Sequence, residues 1–391
     1  MKKIFILILF LYSCNSSDRM PKGKPYNYIS LTYDEIKNDL DNLLPFDSNY
    51  LAYISANNNY FFISNNESGI HVFDNSDLKN PKNISFIRIP NVISMKVLDN
   101  IIYAYSLGDI AILDISNIYN VKLLKRVIIN EKKDINIKSN EYIANYNENK
   151  FLNIIGNYLY ITKSYDNKQE IVILDISNKY EPKEVNKIEI VKNLEIKPFD
   201  KNYEIIQDLS YNNNLMVIST NKRLLIYSIE DNKSTIFISE FSYINNKRIE
   251  YGEILTSVAI NDKNIYIKSS INYLDIINLK DIKAPKIAKS YELKGYKKLN
   301  IKKGTQYLIF GGNEIYDMSQ DLTLIPIKNI QYKLKSFFIT EQEILLGIVD
   351  NEGIVQYDIS NLDKELKPLS FIDTSVYSNY PPRFNDVEYY N

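Results

Sequence analysis

An aspartate recurs at the end of a short apolar phrase along the chain, and its repetition invites a chemical role. The clearest copy covers residues 171–177, where Asp175 follows four apolar residues and precedes Ser177. A carboxylate there could act as a general base, but it could equally accept backbone N–H groups in the following turn. Because Ser and Asn, which can cap the same turn, replace Asp in two copies, we interpret the position as structural. The seven turn-cap positions are Asp74, Asp114, Asp175, Ser228, Asn278, Asp317 and Asp358.

The chain contains one histidine, His71, and one cysteine, Cys14. A nucleophilic triad built on histidine would have to use His71, but this residue lies within the apolar run 70–73, where a structural imidazole is expected. A single cysteine cannot form an internal disulfide, and one histidine with one distant cysteine cannot complete a zinc site. The sequence therefore predicts no catalytic residue, no metal site and no cofactor.

Composition and charge limit the classes of partner. The 391 residues are 45% apolar, which is enough to bury a core and is atypical of a disordered chain. Since 47 basic and 48 acidic residues give a net charge of −1, the chain lacks the basic excess of a nucleic-acid binder. We therefore expect no nucleic-acid partner.

The N-terminus has the features of a signal peptide over residues 1–13. Two lysines precede an apolar run, residues 4–11, that is too short to span a bilayer. The tetrad Leu-Tyr-Ser-Cys at 11–14 resembles the bacterial lipobox, which implies acylation of Cys14 and anchoring to membrane lipid. The alternative is an ordinary secretory peptide with a chance cysteine. We expect an extracytoplasmic, membrane-anchored protein in the bacterial periplasm or at the cell surface.

A tether and a helix are predicted next. Residues 14–28 are polar and without apolar periodicity, as in a linker. A capping-box pattern at 32–35 precedes apolar residues at helical spacing up to Pro45. We therefore predict an amphipathic helix over roughly 32–44, within an N-terminal segment 29–48, and expect its apolar face to pack on the body of the protein.

The rest of the chain is a strand-and-turn repeat. Short runs of Ile, Val, Leu, Tyr and Phe alternate with turns rich in Asn and Asp, and the turn-cap positions lie between 39 and 61 residues apart. Each unit reads as four short strands, of which the apolar phrase is the third and is apolar on both faces. This pattern predicts an all-β fold, a seven-bladed β-propeller of four-stranded antiparallel blades over residues 49–375.

The third copy carries a resemblance to a known family. Its sequence Ile-Val-Ile-Leu-Asp-Ile-Ser-Asn-Lys-Tyr-Glu-Pro, residues 171–182, resembles the LVIVD repeat of extracytoplasmic bacterial β-propeller proteins, many of them lipoproteins. The resemblance extends over roughly 50–372 and is most specific in the second, third and seventh copies. It implies a propeller outside the cytoplasm, and it supplies no catalytic residues that could be carried over.

Closure of the ring and the lining of its channel can also be predicted. Within the C-terminal tail 376–391, the last residues read as the first strand of another copy, which could close the ring; the alternative is a tail laid across one face. If the first strands line a central channel, the positions are mixed in character and lack the carboxylate ring that would hold Ca²⁺. These positions are Met95, Asp208, Ser257, Lys298, Ser336 and Asp386.

Two insertions, residues 130–150 and 191–204, interrupt the repeat and are the candidates for ligand contact. Such insertions often face the ligand in repeat proteins, although drift in exposed loops is an equal alternative. We predict a non-catalytic binding or scaffold protein of the cell envelope, for a protein or a surface ligand. The alternative is a hydrolase or lyase that acts on a sugar or lactone. The aromatic residues of the two insertions are Tyr142, Tyr146, Phe199 and Tyr203.

Overall fold

A computed structural model describes most of the predicted repeat region and a short segment that precedes it. The described residues are 40–44, 51–57, 59–65, 69–129, 152–165, 168–191, 204–231, 233–243, 255–269, 273–292, 299–301, 307–310, 313–318, 320–349 and 352–374.

Regular structure in these described ranges is β-strand throughout, apart from one turn of 3-10 helix at Leu279–Asp281. The first sheet contains β1 (Asp41–Leu43), β2 (Leu51–Ala56), β3 (Tyr60–Asn65), β4 (Gly69–Asp74) and β5 (Lys82–Arg88). The second contains β6 (Val92–Leu98), β7 (Ile101–Ser106), β8 (Asp109–Asp114) and β9 (Lys122–Ile128). The third contains β10 (Leu152–Ile155), β11 (Tyr158–Tyr165), β12 (Lys168–Asp175) and β13 (Lys183–Val191).

The strands of the remaining sheets follow in chain order. The fourth sheet contains β14 (Ile206–Asn212), β15 (Leu215–Thr220), β16 (Arg223–Ile229) and β17 (Thr235–Ser242). The fifth contains β18 (Leu255–Ile260), β19 (Asn264–Ser269), β20 (Tyr273–Asn278) and β21 (Ile287–Glu292). The sixth contains β22 (Leu299–Ile301), β23 (Tyr307–Phe310), β24 (Glu314–Asp317) and β25 (Ile325–Asn329). The last contains β26 (Leu334–Ile339), β27 (Ile344–Val349), β28 (Gly353–Asp358) and β29 (Ser370–Asp373).

Apart from β1, the strands of each sheet form an antiparallel meander in chain order, as expected for the blades of a β-propeller. The sequence predicts seven four-stranded blades. Among the described residues six sheets have four strands, whereas the sheet nearest the N-terminus has five because β1 is added beside its outer strand β5. The prediction of seven four-stranded blades is therefore wrong: the described residues form six four-stranded sheets and one five-stranded sheet.

The sheets share their irregularities as well as their order. A register shift follows the first residue or two of five inner strands, at Leu51/Ile54, Val92/Ser94, Ile206/Asp208, Leu255/Ser257 and Leu334/Ser336. Another recurs between third and outer strands, as at Ile173/Leu174 in the third sheet. Because a bulge adds twist and bends a strand locally, its repetition gives neighbouring sheets matching shapes for face-to-face packing.

The core is divided among the junctions between sheets. In the described part of the chain, seven clusters of buried side chains each join two consecutive sheets, and one of them joins the last sheet to the first. In that closing cluster Phe61 and Phe73 of the first sheet pack with Leu346 and Ile354 of the last. Apolar third strands are thus required, because both faces of a blade are covered.

Ring closure among the described residues uses this face-to-face contact, and the first and last sheets are each complete without exchanging a strand. The predicted closing strand in 376–391 lies outside the described residues. Within the part of the chain that the structure describes, no helix has the length and apolar character needed to cross a membrane.

The predicted helix 32–44 is wrong at its C-terminal end, where residues 41–43 form β1. Asp41, Asn42 and Leu43 pair with β5, which offers unpaired backbone groups at the edge of the first sheet. Leu40 packs against the cluster between the first two sheets, as the docking prediction requires, but it does so from an extended segment. Residues 41–43 therefore pair as a strand with the sheet edge, although the spacing of the leucines is typical of a helix. Residues 32–39 lie outside the described part of the chain.

Candidate functional site

The repeated turn caps are the first candidate site. The Asp175 Oδ1 atom accepts the Ser177 N–H at 2.9 Å and the Ser177 hydroxyl at 2.5 Å. These two hydrogen bonds, the hydroxyl bond first, hold the pKa of Asp175 below its usual value. Asp74, Asp114 and Asp358 make the same pair of bonds to the serine two residues later. A carboxylate with a lowered pKa and two local donors is a poor general base.

The other turn-cap positions vary the arrangement. Asn278 Oδ1 accepts the Lys280 N–H at 2.9 Å, which caps the turn without a charge. Ser228 and Asp317 lie near the ends of β16 and β24, opposite Ile236 and Ile325 on their outer strands. Each of these residues lies on a different sheet. Among the described residues no group of three His, Cys, Asp or Glu side chains is placed to hold a metal ion.

The turn residues that follow explain the regularity of the phrase. The N–H groups of Tyr119 and Tyr180 donate to Asn117 Oδ1 and Asn178 Oδ1, each at 3.1 Å. Both tyrosine side chains point outward and are 67% and 55% exposed, respectively. Pro182 then precedes β13 directly, where the absence of an N–H group costs no ladder bond.

The antiparallel order gives the propeller two different edges. We call the edge that holds the seven turn caps the turn edge. At the opposite edge the third strands begin and the connections between sheets leave, and we call it the insertion edge. The third strands begin at Gly69, Asp109, Lys168, Arg223, Tyr273, Glu314 and Gly353.

Both predicted insertions leave from the insertion edge of neighbouring sheets. The first connects β9 to β10, and the buried residues Ile129 and Leu152 flank it. The second connects β13 to β14. Tyr142, Tyr146, Phe199 and Tyr203 lie outside the described residues, so their role as ligand-facing residues stays a prediction.

Arg223 connects the two ends of the second insertion. Its guanidinium donates through Nη2 to the carbonyl oxygen of Ile190 at 3.0 Å and through Nε to Glu204 Oε1 at 2.8 Å. Its Nη1 atom donates to Glu240 Oε2 at 2.7 Å on the outer strand β17. Burial lowers the pKa of Arg223, but Glu204 and Glu240 outweigh burial and raise it. The guanidinium is therefore a charged, three-way clamp below the insertion.

Neighbouring side chains hold the same end of the chain. The Thr220 hydroxyl donates to Glu204 Oε1 at 2.6 Å, and Asn221 Oδ1 accepts the Ile205 N–H at 2.8 Å. Gln169 Oε1, from the preceding sheet, accepts the Ile206 N–H at 2.7 Å. The insertion thus rejoins the propeller at a fixed point between two sheets.

One residue of the predicted channel lining, in the inner strand of the second sheet, is assigned to the wrong position. The shared bulge makes Ser94 the equivalent of Asp208 and Ser257, so the prediction for Met95 is wrong, and Met95 is buried between the first two sheets. Asp208 Oδ2 accepts the Ser257 hydroxyl at 2.7 Å and the Val258 N–H at 3.1 Å. These bonds join two adjacent inner strands. Ser336 follows the corresponding bulge of the last sheet, while Lys298 and Asp386 lie outside the described residues.

Sequence reasoning does not single out Arg223, Gln169 or Glu204. The signal available is weak: Arg223 is one of few arginines in a lysine-rich chain, and it stands immediately before one of the two copies that resemble the repeat least. The residues of a clamp that joins two sheets are far apart in the sequence, so the repeat pattern alone could not reveal it.

The stacked antiparallel sheets place the chain in the class of β-propeller proteins, and the edge geometry is that of a propeller with long connections on one side. Residues 150–189 match the model of the LVIVD repeat, which confirms the predicted resemblance in the third copy. The chain is thus a β-propeller that contains an LVIVD repeat. The comparison with curated protein sequences gives no match.

Solved structures of low sequence identity share the fold. Sqt1 of Saccharomyces cerevisiae has a TM-score of 0.51 and 11% identity, with 83% of this chain and 86% of Sqt1 covered. Hsv2 of Kluyveromyces lactis has a TM-score of 0.51 and 10% identity, with 84% and 100% covered. PorZ of Porphyromonas gingivalis, an essential bacterial surface component of the type-IX secretion system, has a TM-score of 0.53 and 12% identity, with 84% of this chain and 39% of PorZ covered. At these identities the likeness is one of fold alone.

Proposed function

We propose that this protein is an extracytoplasmic lipoprotein, anchored to membrane lipid through acylated Cys14, that acts as a non-catalytic binding or scaffold propeller. Its ligand is a protein or a surface component of the bacterial cell envelope. The insertion edge of the third and fourth sheets is the surface that makes the contact, and the aromatic side chains of the two insertions supply apolar area. Aromatic residues are favoured at such interfaces because they bury much area at a small loss of conformational entropy.

The observation that carries the proposal is the clamp at Arg223. An insertion that had drifted without use would not need both of its ends tied to one guanidinium, which Glu204 and Glu240 hold in place with charged hydrogen bonds. A rigid base lowers the entropy that a binding loop loses on association. The first insertion leaves the neighbouring sheet at the same edge, so the two can contact one ligand together.

The envelope location draws support from two sources. The Leu-Tyr-Ser-Cys tetrad at 11–14 has the form of a lipobox, and PorZ, which has a similar fold, is a bacterial surface component of the type-IX secretion system. The hydrolase or lyase alternative needs two carboxylates that face one cavity. Glu204 and Glu240 are brought together in the structure, but both are bound to Arg223, and nothing in the described residues favours that alternative.

The experiment replaces residues 192–203 by a short Gly-Ser linker in the full-length protein and measures cross-linking to partners in the intact envelope. The Arg223 clamp keeps the two ends of the insertion close, so the linker can join them without strain. The expected result is loss of a discrete cross-linked species with the membrane-bound amount unchanged.

A matched control carries Tyr119→Ser and Tyr180→Ser at the turn edge, where two aromatic side chains are exposed. The control should keep the cross-linked species. If the linker variant keeps it and the control loses it, the insertion edge is not the binding surface. If neither variant nor wild type yields a discrete species, the binding role itself is contradicted.

A further inference from the structure

Two residues of the repeat break its apolar pattern, and they contact each other. Gln356 lies two positions before the turn cap of the last copy, where the six other copies have Val or Ile. Asn75 lies one position after the turn cap of the first copy, where the others have Ile, Leu or Met. The exceptions occupy the first and last sheets, which meet where the ring closes.

At the other six junctions the same two positions belong to one apolar cluster, and both residues are apolar. At each junction the residue two before the cap of one sheet packs in the same cluster as the residue one after the cap of the next. The pairs are Val72 with Ile115, Ile112 with Ile176, Ile173 with Ile229, Ile226 with Leu279, Ile276 with Met318, and Ile315 with Ile359.

At the closing junction the two amides bind each other reciprocally. Asn75 Nδ2 donates to Gln356 Oε1 at 3.0 Å, and Gln356 Nε2 donates to Asn75 Oδ1 at 2.8 Å. Gln356 Nε2 also contacts the Ser370 hydroxyl oxygen at 3.0 Å and the Leu78 carbonyl oxygen at 3.3 Å. Gln356 is 1% exposed and Asn75 is 9% exposed. The pair is therefore satisfied within the protein.

In a ring of similar blades, the first and last sheets must be distinguished from the others if the ring is to close correctly. Because the apolar faces resemble one another, the last sheet could pack on the wrong blade, or the ring could close after omitting a terminal sheet. Any such mispairing would place a buried amide against an aliphatic side chain, and a buried amide without its hydrogen bonds is strongly unfavourable. Buried polar pairs fix register in the same way in coiled coils.

We propose that the Asn75–Gln356 pair is the recognition element by which the first and last sheets select each other when the ring closes. The apolar contacts of the closing cluster supply the attraction, and the amide pair penalises every other partner. Among the described residues the first and last sheets share no strand, so side-chain contacts specify the closing junction there.

The test compares the full-length wild type with Asn75→Ile, Gln356→Ile and the double variant. Each single variant leaves one buried amide facing an isoleucine, so its thermal midpoint should fall by about 2–4 °C or more. The double variant recreates the apolar pair of the other junctions, and its midpoint should return to within a few degrees of wild type. After refolding, its ratio of misassembled to closed monomeric chains should rise by about fivefold or more, measured by size exclusion with light scattering.

Three results would overturn the proposal. The double variant could refold to closed monomer as faithfully as wild type, which would show that the pair does not select the partner. It could lose the sum of the two single-variant effects, which would show that the amides do not act as a pair. It could also fail to fold, which would contradict the equivalence with the six apolar junctions. A further variant, Val72→Ile, changes the aliphatic pair at the first junction and should leave refolding fidelity unchanged.

Discussion

His71 should make the stability of the protein fall in mild acid, and the effect can be isolated because the chain has one histidine. The side chain is 2% exposed and lies against Phe86, with ring centroids 4.7 Å apart, in the first sheet. Burial lowers the pKa of His71 from 6.5 to about 3. The imidazole is therefore neutral in the folded protein across the physiological range.

The sign of the pH dependence follows from these two values. Between pH 6.5 and pH 3 the unfolded chain binds a proton at His71 that the folded chain does not bind. The stabilisation is thus complete above pH 6.5 and is lost progressively as the pH falls toward 3. From pH 7 to pH 5 the contribution amounts to about 2 kcal/mol, since each pH unit in this window costs up to about 1.4 kcal/mol.

The variant that isolates this contribution is His71→Leu, because Leu225 occupies the equivalent position in the fourth copy. Urea unfolding of both proteins at pH 7, 6 and 5 gives the free energy of unfolding, and carboxylates common to both cancel in the difference. Wild type should lose about 2 kcal/mol more than the variant between pH 7 and pH 5. Equal losses in the two proteins would show that His71 is protonated in the folded state, against the burial argument.

Other predictions concern close packing, the added strand and the anchor. Gly353→Ala should destabilise the protein by about 2–3 kcal/mol in urea unfolding, because a Cβ there would lie 2.0 Å from a carbonyl oxygen of β29. Gly347→Ala meets only a leucine side chain and should cost less; the reverse order would contradict the geometry. Asn42→Ala removes two hydrogen bonds to the backbone of Val121, directly before β9, and should cost about 1 kcal/mol and speed amide exchange in β1; unchanged exchange would count against that attachment. Cys14→Ser should abolish metabolic palmitate labelling, and persistence of label would rule out the lipid anchor.

The blade pattern was predictable because it is local. An apolar third strand followed by Asp, a spacer residue and Ser specifies a strand and its capped turn within about ten residues, and the structure repeats that unit from Asp74 to Asp358. Two features compete with local pattern and were missed. The leucines at helical spacing near residue 40 instead join a sheet edge, and the bulge of the inner strands moves the channel register from Met95 to Ser94.

The candidate site was predictable only in part, for a different physical reason. Its insertions interrupt the repeat and are therefore visible in the sequence, whereas the contacts that support them join residues of different sheets. Arg223 contacts Ile190 of the preceding sheet, and Asn75 contacts Gln356 at the opposite end of the chain. Such contacts form only because particular sheets are neighbours, so these residue pairs can be identified only after the order of the sheets is known.

The most direct test of the proposed binding role is site-specific photo-cross-linking in the intact envelope. A photoreactive amino acid at Phe199, in the second insertion, is compared with one at Tyr180, which is 55% exposed at the turn edge. If the insertion edge binds the partner, position 199 should give a discrete cross-linked species and position 180 should give none. A species from position 180 alone, or no species from either position, would contradict the proposed binding surface.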